Sequence, residues 1–137
     1  MAGLNKFYHF VEDIAEGMHN LASDTLKVML SNILPIATDT DVNDIIEISA
    51  GNGYAAGGLT LTTQNSSEIS GVYKLVTSDA TLSAFGGDIG PFRYAVLYNS
   101  DNDLLIGWAD YGSSITLADG YSFIIDFDQS NGLLQII

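Results

Sequence analysis

From Lys6 to Met18 the apolar residues Phe7, Phe10, Val11, Ile14 and Met18 recur with the 3.6-residue period of a helix, and Glu12, Asp13 and Glu16 fall on the other side. This predicts a helix. A strand is the rival reading, because Phe7, Tyr8 and Phe10 favour sheet, and Gly17 would end either element. Beyond this segment the pattern is that of sheet. Thr25–Leu30 is rich in strand formers and stops at Ser31-Asn32, before Pro35. Val42–Ser49 reads as a strand running into the glycine-rich stretch Ala50–Gly58. The alternation of Leu59, Leu61 and Thr63 with Thr60 and Thr62 suggests its hairpin-like partner.

Further strands are expected at Gly71–Thr77, Thr81–Phe85, Phe92–Tyr98, Leu104–Ala109, Ser114–Leu117, Tyr121–Phe127 and Leu133–Ile137. Turn-forming residues separate them, and Asp119-Gly120 and Asn131-Gly132 carry hairpin signals. Eight to nine strands at roughly 8–12-residue spacing predict an all-β fold, a single-domain antiparallel β-sandwich or jelly roll. No repeat or linker divides the chain, so residues 1–137 are read as one domain, with residues 1–20 as an N-terminal arm or helix.

The charge narrows the function. Seventeen acidic residues against four basic ones give a net charge of −13. With Lys6, Lys27, Lys74 and Arg93 as the fixed cations, the chain cannot neutralise a run of phosphates, so no nucleic-acid partner is expected. There is no cysteine, which removes disulfides, thiol catalysis and Cys-ligated zinc. The opening MAGLNKFYHFVED lacks an apolar signal stretch, and no run approaches the ~18 residues of a membrane helix; neither classical secretion nor a membrane partner is expected. Charged residues make up 15% of the chain, below the roughly 25% usual for soluble domains, while Ser, Thr, Asn and Gln number 34. Such a neutral polar surface is easier to bury against other subunits than one rich in Lys and Glu.

Motifs for chemistry fail on context. Gly51-Asn52-Gly53-Tyr54-Ala55-Ala56 imitates a dinucleotide fingerprint, but Gly57-Gly58 and the β-like Leu59–Thr63 follow where a helix is required. No cofactor is expected. Asp39, Asp41 and Asn43 have the spacing that opens a calcium loop, yet Asp44 stands where Gly is needed and Ala50 where a bidentate Glu is needed. Asp101-Asn102-Asp103 and Asp126-Phe127-Asp128 are similar fragments, read as solvated turns or outer strand faces. No metal site is expected. Ser113 and Ser114 lack a nucleophile elbow, and nothing ties them to His9 or His19. The chain is therefore read as a non-enzyme with no catalytic residue. Phe92, Tyr94 and Tyr98 alternate on one strand face, opposite Arg93, Ala95 and Leu97; this reads as a core stripe before it reads as a sugar-stacking platform.

Taken together, Ser23–Leu30 (SDTLKVML), Ala50–Gly58 (AGNGYAAGG), Gly90–Asn99 (GPFRYAVLYN), Ile106–Gly120 (IGWADYGSSITLADG) and Phe127–Gln135 (FDQSNGLLQ) resemble a family of small tailed-bacteriophage and prophage virion structural proteins. The family includes capsid decoration, or cement, proteins. The resemblance implies a β-rich subunit, commonly a homotrimer, that clamps the major capsid protein on the head exterior after synthesis in the bacterial cytoplasm. It offers no catalytic residue. An alternative is a tail or fibre module that binds a host-surface glycan through Tyr98, Trp108 and Tyr111. The apolar chain ends, Phe7, Phe10, Val11 and Ile14 together with Leu133, Ile136 and Ile137, are candidates for a subunit interface; equally, they could complete the monomer core.

Overall fold

The computed structural model describes residues 4–136; of the expected interface residues, Ile137 lies outside them, as do residues 1–3 of the expected arm. A two-residue strand β1 (Asn5–Lys6) leads into α1 (Tyr8–Ala15), so the helix is shorter than its apolar period; Tyr8 and Phe10 are helical and Phe7 caps the helix, so the strand expected from these aromatics does not form. Glycine stops the helix. Gly17, at φ +77°, lets its own N–H reach Ile14 O and the Met18 N–H reach Asp13 O, a Schellman closure that satisfies two terminal carbonyls.

The strands that follow are β2 (Leu26–Ser31), β3 (Leu59–Thr60), β4 (Thr63–Ile69), β5 (Val72–Thr77), β6 (Ala80–Ser83), β7 (Ile89–Asn99), β8 (Leu104–Leu117), β9 (Ser122–Ile125) and β10 (Leu134–Ile136). The result is an all-β single domain of antiparallel sheets with one short helix. A five-stranded sheet runs β1-β8-β7-β2-β3, a three-stranded sheet β10-β5-β4, and β6 pairs with β9. Alternate residues of β2 sort to the two faces of the large sheet. Leu26, Val28 and Leu30 join the main core with Leu75, Leu82, Ile125 and Leu134 of the smaller sheets, while Met29 faces a second cluster with Phe7, Val96, Tyr98 and Leu105.

Several local expectations are corrected. Val42–Ser49 is not a strand. The Asp41 carboxylate accepts from Asn43 N, and Asp44 returns bonds to Asp41 N and Thr40 N, a capping box that coils Val42–Asp44 into a 3-10 turn. The rest of the segment makes one isolated bridge, from Glu47 to Ser31, and Val42 and Ile45 lie over the second cluster. β3 accordingly pairs with β2 and not with residues 42–49. Leu104–Leu117 is one strand where two were expected. A register shift between Phe92 and Tyr94 takes up the Tyr111–Ser114 stretch, so the expected break survives as an irregularity within one ladder. Asp119-Gly120 and Asn131-Gly132 do turn the chain, but they link strands of different sheets, because β9 pairs with β6 and β10 with β5. The tight hairpin lies instead at Ser70-Gly71, between β4 and β5, where both residues have positive φ. The polar strand β4 (TQNSSEI) carries no alternation and was not anticipated.

Candidate interaction surfaces

The glycine-rich loop is a docked hairpin. Gly51 and Tyr54 exchange both backbone hydrogen bonds around Asn52-Gly53, whose φ angles are both positive. Asn52 Nδ2 donates to Asp88 O, and Phe85 N donates to Asn52 O, which fixes the tip onto the β6–β7 connection. At the base, the 2% exposed Tyr54 hydroxyl accepts from Leu30 N at 3.0 Å and donates to Glu47 Oε2 at 2.5 Å. Gly57 N also donates to Glu47 Oε2, and Tyr98 Oη donates to Gly57 O at 2.5 Å. Burial, reinforced by the Glu47 bond, pushes the Tyr54 hydroxyl far above its ordinary pKa, so it stays protonated. This network anchors backbone and leaves the glycine N–H groups no helix to serve, so the fingerprint resemblance has no phosphate cradle behind it.

The aromatic stripe is divided between faces. The register shift between Phe92 and Tyr94 puts Phe92 in the main core with Ala95 and Leu97, whereas Tyr98 joins the second cluster with Val96; a single aromatic face does not form. Trp108 packs against Phe7 with ring centroids 4.7 Å apart. Tyr111 packs edge-on against Phe92 and Phe123, and burial pushes its hydroxyl up to about 12. The three residues suggested for a glycan therefore do not converge. Tyr98 is 4% exposed with its hydroxyl committed, Trp108 is half-buried in the second cluster, and Tyr111 belongs to the main one.

The chain-end residues also separate. Phe7 is fully buried, Phe10 is 2% exposed and Leu133 is 8% exposed, so these three complete the subunit's own core and offer no surface to a neighbour. Val11 is exposed. Ile14 and Ile136 are half-buried and line one groove of about 460 Å³, whose other walls include Leu21, Ser66 and Tyr73.

Beside that groove lies a polar knot that holds the α1–β2 loop to the β7–β8 turn. Fully buried Asn99 donates through Nδ2 to Asp24 Oδ2 at 2.7 Å and to His19 Nδ1 at 3.0 Å, and its Oδ1 accepts from Asp101 N. Because Asn99 donates, His19 Nδ1 must accept, which places the ring proton on the buried, unpartnered Nε2. Burial lowers the His19 pKa, against the pull of Asp13 and Asp24. His9 behaves oppositely: its Nδ1 lies 2.9 Å from Asp13 Oδ1, close though not aligned as a hydrogen bond, and Asp13 raises its pKa. Neither histidine meets Ser113 or Ser114; the Ser114 hydroxyl donates to Asn32 Oδ1. Among the described residues, no group of three or more His, Asp or Glu converges on a common point that could hold a metal ion.

The sequence reading missed an exposed apolar face. Ile33, Leu34, Ile36 and Ile46 are 54, 59, 64 and 64% exposed and border a cavity of about 110 Å³ with Asp39 and Asp44. The face is built, not frayed. The buried Ser31 hydroxyl donates to Ile46 O at 2.6 Å and accepts from Ile33 N, and the Asp39 carboxylate accepts from Ile36 N. Its available signal was an apolar run around Pro35 without strand alternation. A second exposed set, Phe85, Tyr121 and Ile124, lies about the β6–β9 pair. Comparison of the chain with protein-family models, with curated proteins and with solved structures returns no match.

Proposed function

We propose that the chain is a non-enzymatic structural subunit of a tailed-phage virion, a decoration protein that oligomerises, as a trimer, and binds the major capsid protein on the head exterior. The observation that carries this reading is the pair of exposed apolar sets on a strongly acidic, otherwise neutral-polar subunit. Soluble monomers rarely leave several large aliphatics together at the surface, and such patches usually meet another protein. The sequence resemblance points to the same class. The acidic surface suits a subunit that must stay soluble until assembly and avoid the packaged genome. A glycan-binding tail module draws less support, because Tyr98, Trp108 and Tyr111 do not present a common stacking surface.

Mass spectrometry and cryo-electron microscopy of purified particles test the proposal. The expected result is many copies at symmetry-related positions outside the head. A few copies at the tail tip, or absence from the particle, overturns it.

A further inference from the structure

The apolar cavity between residues 33–36 and Ile46 is too small for a folded element and has the dimensions of a socket for one side chain. Its chemistry selects the visitor. Aliphatic walls favour a methylene stem, and Asp39 and Asp44 at the border favour a positive head, which is how lysine and arginine bury their stems while keeping the charge near a partner. We propose that this socket receives a lysine or arginine side chain from the surface of a different protein and makes Ile33–Ile46 the subunit's docking face for a basic partner. Charge complementarity decides against a second copy. Each copy carries −13, and of its four cations Arg93 already forms a bidentate pair with Asp110, at 2.8 and 3.1 Å. Backbone N–H groups of Thr40 and Asp41 hold the Asp44 carboxyl below the usual carboxylate range, so Asp44 keeps its charge in mild acid. Under the decoration-protein reading, on which the identity of this partner rests, the basic side chain belongs to the capsid shell.

The socket can be tested without the virion. The probes are a synthetic peptide of alternating leucine, alanine and lysine, and its counterpart with glutamate at each lysine. Isoleucine methyl resonances of the whole chain give the readout. The lysine peptide should shift Ile33, Ile36 and Ile46 and leave Ile69 and Ile124 unmoved, though these are 66 and 58% exposed. The glutamate peptide should shift none of them. The Ile36→Ser/Ile46→Ser double variant should abolish the effect, and Asp39→Asn should weaken it by about fivefold, the scale of one exposed ion pair. Equal response to both peptides, or shifts centred on Ile69 or Ile124, overturns the proposal. So does a concentration-dependent dimer in sedimentation that the double variant abolishes, which would make the occupant a second copy.

Heads lacking the protein form the second arm. Wild type bound and the double variant released is the expected result. Equal binding of both overturns the socket's role on the head while the decoration reading stands. Failure of wild type to bind heads overturns the decoration reading, and the peptide experiment still decides the socket.

Discussion

At the residue scale, Tyr54 carries more of the structure than its place in a glycine-rich loop suggests. Its hydroxyl accepts from the Leu30 N–H and, with the Gly57 N–H, donates to the Glu47 Oε2 atom. Tyr54→Phe keeps the ring and strips both bonds. It should cost about 1–3 kcal/mol, the usual penalty for stranding a buried donor, and lower the melting temperature by several degrees. Differential scanning calorimetry checks this; an unchanged melting temperature means that water or rearrangement replaces the hydroxyl. His19 makes a separate prediction about pH. Its folded pKa is depressed, so between that value and the ordinary 6.5 the unfolded chain binds more protons, and the fold loses stability as pH falls through this window. The groups facing it are Asn99, the Phe10 ring, Asp13 and Asp24, and the two carboxylates oppose the shift without reversing it. His9 has the contrary sign: its stabilisation is complete below 6.5 and fades as pH rises through its elevated pKa. Imidazole proton resonances should therefore titrate on opposite sides of 6.5, and His19→Gln should flatten the acid limb of stability. Coincident titrations would refute the assignment.

At the scale of elements, Gly58 shows how closely the glycine-rich loop approaches the sheet. A Cβ there would stand 1.9 Å from Val28 O and 2.7 Å from Met29 Cα, both backbone atoms of β2 that cannot yield. Gly112 has nearly the same positive φ, +89° against +87°, yet nothing lies within 4 Å of its Cβ position. Gly112→Ala should cost about 1–2 kcal/mol, the conformational strain alone. Gly58→Ala should exceed 4 kcal/mol or prevent folding, because β2 and β3 must part. Urea denaturation of the pair separates strain from collision, and equal losses would show that the loop can shift away. The same elements show what the sequence made legible. β2, β5 and β7 were readable because branched and aromatic residues cluster between turn formers. β4 was not, since TQNSSEI is a half-wet edge strand held by β5 and by a Ser66–Tyr73 hydroxyl contact at 2.7 Å, neither of which leaves an alternating pattern. Val42–Ser49 misled in the opposite direction. Its isoleucines look like strand residues, but the Asp41–Asp44 capping box coils the first turn, and they then part: Ile45 lies over the second cluster, Ile46 is exposed and Ile48 packs on the main core. The aromatic alternation of Phe92, Tyr94 and Tyr98 broke on register shifts, which no local spacing reveals. The socket was unreadable for a related reason: its walls are joined by the Ser31 hydroxyl, which donates from the end of β2 to Ile46 O in a distant loop.

At the scale of the molecule, the excess of negative charge opposes compactness as well as self-association. Among the described residues, the ion pairs are Arg93–Asp110 and the His9 contacts to Glu12 and Asp13, so screening by salt has little attraction to remove. The repulsion it removes is far larger. The Debye length falls from about 30 Å at 0.01 M to about 10 Å at 0.1 M, from roughly the width of a small domain to a fraction of it. Added sodium chloride should therefore raise the urea midpoint of unfolding over this range, whereas most of the change should be spent by 0.2 M. Chloride is the right anion for the test, because sulfate would strengthen apolar burial and mimic the effect. Partner binding should move the other way. If basic side chains on another protein meet Asp39 and Asp44, salt weakens that attraction while it stabilises the subunit, so affinity for the lysine peptide should fall across the titration in which the urea midpoint climbs. The two measurements share one protein and one salt series. A midpoint that falls with salt would mean that attraction outweighs repulsion within the fold. An affinity that does not fall would place the peptide on the isoleucines alone, without help from the carboxylates.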